Sequence, residues 1–303
     1  MTLAKIHERL ARQLSGPVRR DEAMARHTTY RIGGPAALLI VCDTIADLSN
    51  TIALLSDEGM AWTVLGKGSN VLVSDEGYDG AVIILGKEFK RHRTEGEQVR
   101  SGAGVILAAL VQDAYSRGLS GIEFAVGIPG TVGGALAMNA GSRDQWIGER
   151  VESVTLYVPG DGLAVLRGPE IEWGYRSSGL PERGVIVECS LLLEQGDRER
   201  IRRTMDARFR SRKSTQPMGT PNAGSVFVNP EGDSAGRLIE ACGLKGYSVG
   251  AAQVSDVHAN FMVNTGGATA ADVLALIAHV REAVNERYGI QLETELRFLG
   301  TQA

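Results

Sequence analysis

Three cysteines, Cys42, Cys189 and Cys242, are all that the 303-residue chain contains. Their odd number and wide separation exclude a disulfide framework, and none has metal-ligand spacing. They read as buried thiols of a reducing compartment. No apolar run reaches the length a bilayer span needs. The opening MTLAKIHERLARQL interleaves Lys, Glu and Arg with its apolar residues, so it holds no signal-peptide core. The expectation is a cytoplasmic protein with no membrane partner. Nor is there an excess of positive charge. A net charge of −4 argues against a chain built to hold nucleic acid, while leaving room for a locally basic site. Internal repeats and low-complexity tracts are missing too. What remains, 43% hydrophobic and 22% charged residues, is ordinary for a globular protein, and the length suits two or three domains.

Taken in order, Leu3, Ile6, Leu10 and Leu14 repeat at helical spacing. His27–Pro35 (HTTYRIGGP) leads into an apolar strand, Ala36–Cys42. Thr44 and Asp47 form a capping box for a helix with Gly59 at its C′ position. Strands Thr63–Leu65, Val71–Val73 and Ala81–Leu85 complete a βαβ-type portion. Phe89–Thr94 and Gln98–Ser101 flank a hairpin turn, and a helix over Val105–Arg117 ends at Gly118. Val151–Val158, Leu163–Leu166 and Val185–Leu193 are strands, so the middle portion is α+β. Arg198–Ser214 is a very basic helix with two readings, a solvated face or a C-terminal end that points cations at a phosphate-bearing ligand. Strand Ser225–Val228, helix Ser234–Cys242 and strand Asn260–Val263 follow. A long helix, Ala270–Tyr288, is capped by Thr269 and Asp272 with Val273, Ile277, Val280 and Val284 inward. Strict alternation makes Gln291–Phe298 the last strand. Three parts are expected: 1–86, with the tail 297–303 as a candidate addition, then 87–196, then 197–296.

Two loops stand out. Gly66-Lys67-Gly68-Ser69-Asn70 follows a strand directly, at the end where α/β folds hold ligands. Gly127–Gly141, GIPGTVGGALAMNAG, has five glycines in fifteen residues and no charged side chain. Glycine packs poorly but exposes backbone N–H groups that can nest an anion; the alternative is a tight interdomain turn. Neither loop is a dinucleotide fingerprint or a P-loop. Together they suggest one extended phosphate-bearing ligand.

In this combination the loops resemble the FAD-binding half of the UDP-N-acetylenolpyruvoylglucosamine reductase family, within the vanillyl-alcohol-oxidase-like flavoproteins. Downstream segments carry the resemblance further: Tyr175-Arg176-Ser177-Ser178, Asn222-Ala223-Gly224-Ser225-Val226-Phe227-Val228-Asn229-Pro230, Gly243-Leu244-Lys245-Gly246, His258-Ala259-Asn260-Phe261 and Leu292-Glu293-Thr294-Glu295-Leu296. It covers about Thr28 to Arg297. It implies an α+β fold with a two-part FAD-binding region and a C-terminal α+β substrate-binding domain.

The activity it implies is reduction of the enolpyruvyl ether of UDP-N-acetylglucosamine to UDP-N-acetylmuramate for peptidoglycan, with non-covalent FAD, NADPH as reductant and no metal. Catalytic roles fall on Arg176 and Glu295, which would stabilise an enolate-like carboxylate, and on Ser225 as proton donor. Glu295 must act protonated or hold a hydrogen-bond network, so its pKa is expected to be raised. FAD contacts are implied at Gly66, Lys67, Gly68, Ser69 and Asn70, and at Gly127, Ile128, Pro129, Gly130, Thr131, Gly133, Gly134, Asn139 and Gly141. Substrate contacts are implied at Lys213, Asn229, Gln253 and His258. A longer form of the family inserts a loop and a substrate-covering tyrosine between the Arg and Ser motifs. This chain has no such insertion and resembles the shorter type, with Tyr247 as a candidate cover. The competing readings are a flavin-dependent alcohol or sugar oxidase, in which His27 would be the nearest candidate for covalent flavin attachment, and a non-catalytic nucleotide-sugar or flavin-binding regulator.

Overall fold

The computed structural model describes residues 1–142 and 144–300. They form two compact units, Met1–Arg20 with Leu38–Lys67 and Gly80–Arg210, and Asp21–Ala37 with Gly68–Asp79 and Ser211–Ala303. The expected three-part division follows chain order; contacts group the chain otherwise. They join most of its first two parts and give Asp21–Ala37 and Gly68–Asp79 to the unit holding the C-terminal third. Of the expected tail, 301–303 lie outside the described residues.

In the first unit the opening helix, Leu3–Gln13, buries Ile6 and Leu10. A four-stranded sheet runs in the order Val18–Ala23, Pro35–Cys42, Tyr78–Leu85, Trp62–Val64. Thr44 accepts the Asp47 N–H at 3.0 Å to cap the helix Ile45–Asp57, and Gly59 follows with φ +65°. A second, five-stranded sheet is antiparallel throughout, in the order Gly162–Arg167, Val151–Val158, Val185–Leu192, Gln98–Gly102, His92–Glu95. One core unites both sheets: Leu38, Ile40 and Ile83 belong to the same buried cluster as Val154, Leu156 and Leu191. Each such aliphatic side chain contributes about 1.5–3 kcal/mol by leaving water. Cys42 and Cys189 are buried in it, their thiols pushed up to about 11 and about 12 by desolvation. Cys242, in the second unit, is half-buried.

The second unit has its own core, where Tyr30, Leu72, Val226, Leu238, Val273 and Leu296 meet. Its sheet runs Asn222–Ser225, Phe261–Asn264, Ala252–Val254, Ser248–Val249. The strand expected at Ser225–Val228 therefore lies earlier, at Asn222–Ser225, because Gly224 at φ +81° and a register shift bend the chain there. The helix Ala270–Tyr288 has the expected capping box, and Asp75 adds a carboxylate that accepts the N–H groups of Ala270 at 2.7 Å and Ala271 at 2.9 Å. A negative group at a helix N-terminus answers unpaired amides and the macrodipole together. The expected last strand is shorter than its alternation suggests. Only Arg297–Leu299 is strand, parallel to Val71–Val73, with an isolated bridge from Thr294 to Phe227.

The basic helix spans Arg198–Thr215, and Ile201 is its only residue buried among the described ones. Arg208 reaches back to the end of the glycine stretch, donating to Ser142 Oγ at 3.1 Å and Gln145 Oε1 at 2.8 Å. Among the described residues no helix is long and apolar enough to cross a membrane.

Candidate active site

The two glycine loops meet in the first unit. Gly66 follows the strand Trp62–Val64, and a Cβ there would stand 2.6 Å from Thr131 Oγ1. Gly66 is glycine because the second loop occupies the space a side chain would take. Thr131 cannot simply turn aside, since its hydroxyl accepts the Gly134 N–H at 3.3 Å and caps the short helix Val132–Ala137. Gly130, just before the cap, has φ +137°, a conformation open to glycine and strained for other residues. These loops offer exposed backbone at Gly66 and Gly134, an exposed Lys67 and no carboxylate. That donor set fits the diphosphate of a dinucleotide cofactor. The first loop is divided between units: Gly66 and Lys67 belong to the first, Gly68, Ser69 and Asn70 to the second. There Gly68 lies against His27 and Thr28 in the HTTYRIGGP segment, and the Thr29 N–H donates to its carbonyl at 3.1 Å.

Arg176 sits on a tight turn of the first unit. The Gly174 N–H donates to Ser177 O at 3.0 Å, and Arg176 has φ +57°. A left-handed arginine holds roughly 1–3 kcal/mol of backbone strain, and it persists only where neighbours over-determine it. They do so here. Asn139 Nδ2 donates to Gly174 O at 2.9 Å, and Ser178 Oγ donates to Ala137 O at 3.2 Å. The guanidinium stacks 5.1 Å over the Tyr175 ring and is half-buried.

Ser225 and Glu295 belong to the second unit, on segments that lie side by side. Ser225 pairs with Phe261. The Glu295 N–H donates to Val226 O at 2.8 Å, and the Val228 N–H to Glu293 O at 2.9 Å. Both Ser225 and Glu295 are half-buried. Asn260 fixes the same segment from its other side, with Oδ1 accepting the Phe227 N–H at 2.9 Å and Nδ2 donating to Phe227 O at 2.8 Å. Asn222 holds the approach, donating to Pro217 O and Thr220 O and accepting from Gly224 N–H. Sequence reasoning quoted Asn222 and Asn260 within motifs but gave them no role. Their only signal was an asparagine at either end of a glycine-bent strand pair.

The substrate candidates are spread through the second unit. Lys213 is exposed in the last turn of the basic helix. Asn229 Oδ1 accepts the Ala235 N–H at 3.1 Å, at the start of the helix Ala235–Ala241. Gln253 Nε2 donates to Gly246 O and Ser248 Oγ, each at 3.2 Å. The Tyr247 ring stacks on His279 with centroids 4.2 Å apart. His258 Nδ1 accepts the Asn260 N–H at 3.2 Å; burial, with the Lys245 cation second, lowers its pKa below the ordinary histidine value. In the same unit His27 is bonded through Nε2 to Glu22 Oε1 at 2.9 Å.

Loops that join at Gly66 and Thr131 and offer backbone rather than carboxylates suit a dinucleotide cofactor, and a family model described as an FAD binding domain matches residues 36–165, which makes the class that of FAD-dependent oxidoreductases. The structure titled "Wild-type Phl p 4.0202, a glucose dehydrogenase" covers 64% of this chain and 44% of its own at TM-score 0.50 and 14% identity, a likeness of fold alone. Beyond that region, the model of the UDP-N-acetylenolpyruvoylglucosamine reductase C-terminal domain matches residues 216–299. The UDP-N-acetylenolpyruvoylglucosamine reductase of Heliobacterium modesticaldum is 44% identical over 96% of this chain and 93% of its own length. The crystal structure of the reductase from Thermus caldophilus matches at TM-score 0.83 and 40% identity, covering 94% of this chain and 99% of that one. The chain belongs to the UDP-N-acetylenolpyruvoylglucosamine reductase family, flavin-dependent UDP-N-acetylmuramate dehydrogenases of peptidoglycan synthesis.

Proposed function

We propose that the enzyme uses NADPH to reduce the enolpyruvyl ether of UDP-N-acetyl-enolpyruvoylglucosamine, with Arg176, Glu295 and Ser225 as its catalytic residues. FAD, which the backbone of Gly66 and of the Gly127–Gly141 loop would help to hold, would supply the hydride chemistry that links NADPH to the methylene carbon of the enolpyruvyl group. Hydride arriving there drives negative charge into the adjacent carboxylate. Arg176 binds that carboxylate as a permanently charged fork. Glu295, protonated, donates to the same developing charge. Ser225 gives its hydroxyl proton to the α-carbon; a serine is a weak acid, but the enolate is a strong base and a positioned donor needs no encounter step. Lys213 and Asn229 bind the nucleotide diphosphate.

The observation that supports this reading best is the bond from the Glu295 N–H to Val226 O, which brings the segments of a proposed acid and a proposed donor side by side. The test separates two half-reactions in Ser225→Ala. Reduction of bound FAD by NADPH should stay near the wild-type rate, while reoxidation by the enolpyruvyl nucleotide sugar slows by about three orders of magnitude or more. An equal fall in both would make Ser225 structural.

A further inference from the structure

Each glycine loop contains an asparagine whose carboxamide grips the backbone of a segment carrying chemistry. In the first unit Asn139 is buried, at φ +40°, in the second loop. Its Nδ2 donates to Gly174 O at 2.9 Å, and its Oδ1 accepts the Gly148 N–H at 3.1 Å. Gly174 opens the turn that bends Arg176 into the left-handed region, and Ser178, bonded to Ala137 O, closes it. The turn is therefore tied at both ends to the loop that resemblance gives to the cofactor. In the second unit Asn70, in the first loop, repeats the arrangement. Its Nδ2 donates to Glu295 O at 3.0 Å, and its own carbonyl accepts the Arg297 N–H at 3.1 Å, so one residue holds the main chain at two points directly after the Glu295 side chain.

We infer that Asn139 and Asn70 are positioning residues of the reduction, which hold the Arg176 turn and the Glu295 segment in register with the loops that receive the cofactor. This rests on the catalytic roles proposed above for Arg176 and Glu295. Arginine at φ +57° gains nothing locally from that backbone, so released from Asn139 the turn relaxes and the guanidinium leaves its working direction. Misplacement by a fraction of an ångström at a charge-stabilising group lowers the rate without touching the cofactor.

The experiment uses the FAD-loaded enzyme. Asn139→Asp keeps the oxygen that accepts from Gly148 and replaces the N–H that holds Gly174 by a carboxylate oxygen, which repels that carbonyl; Asn70→Asp replaces the N–H that holds Glu295 O in the same way. With FAD held at saturation, so that a weakened cofactor contact at either asparagine is offset, reoxidation by the enolpyruvyl nucleotide sugar should fall roughly 10- to 100-fold more than reduction by NADPH does. In a double-mutant cycle, N139D should add little to the defect of R176A, since its effect passes through that side chain. If N139D fails to fold with flavin, Ser178→Ala releases the other end of the turn and should show the same split. Loss of both half-reactions together, or full additivity with R176A, overturns the inference. A slow R176A beside a wild-type N139D overturns positioning alone. If R176A itself reoxidises at the wild-type rate, the assignment of Arg176 falls and the inference falls with it.

Discussion

The Arg176 turn and the Ser225–Glu295 pair are secured in different ways. Ser225 and Glu295 lie on segments joined by backbone bonds, Glu295 to Val226 and Val228 to Glu293, with Asn260 reinforcing Phe227. Arg176 lies on a strained turn that the side chains of Asn139 and Ser178 tie to the second glycine loop. A backbone ladder survives most substitutions because every residue brings the same donors and acceptors. A turn held by side chains depends on particular residues. The difference divides the proposed catalytic residues into a pair on segments joined main chain to main chain and one on a strained turn.

The largest effect that would break this contrast is at Arg176 itself. Arg176→Gly removes the fork and relieves the left-handed backbone. Reoxidation by substrate should fall roughly 10²- to 10³-fold while the melting temperature holds or rises, a trade of stability against activity. A variant that loses both would show that the turn is not strained. Next comes Gly66→Ala, whose methyl group is opposed by Thr131 Oγ1 at 2.6 Å. Overpacking of about 1–3 kcal/mol should weaken flavin retention roughly tenfold, read by titrating FAD into the apoenzyme. Unchanged affinity would mean that the loops yield where they meet. Thr269→Ala, remote from the Ser225–Glu295 ladder, removes the cap of the helix Ala270–Tyr288. It should lower stability by about 1 kcal/mol, a shift of roughly 2–4 °C, and leave both half-reactions alone.

The smallest effect is a pH dependence. The folded chain holds the His258 proton less readily than the unfolded chain, because burial first and Lys245 second disfavour the imidazolium. Stability is therefore full above the ordinary histidine value of about 6.5, falls as pH drops through it, and levels off below the lowered folded value. Melting curves between pH 7 and pH 5 should descend faster for the wild type than for His258→Gln. Parallel descent would exclude His258 as the cause.

Some of this could be read in advance and some could not. The helix Ala270–Tyr288 was legible to its ends, because its capping box, its inward Val and Ile residues and Gly289 are all local signals. The strand Val18–Ala23 was not, since VRRDEA has almost no apolar alternation to betray it. Alternation also overstated Gln291–Phe298: it reports which face is buried, not whether a partner strand runs alongside. Glycine content made the two loops legible, but Gly66 against Thr131 is a contact across 65 residues that no spacing rule contains. Arg176 was found by resemblance alone. A positive φ leaves no mark on an arginine codon, and from the residues themselves it read as a surface arginine after a turn.

The parallel pairing of Arg297–Leu299 with Val71–Val73 sets a timetable for synthesis. The second unit is closed by bonds between Thr29 and Asn222, between Tyr30 and Asn264 and between Asp75 and Ala270, and finally by this last strand. At about 5–20 residues per second, Asp75 waits on the order of 10–40 s for Ala270. The first unit is complete by Arg210. Until Arg297–Leu299 is made, the Val71–Val73 strand lacks that partner, and an unpaired strand edge is a template for pairing with another chain.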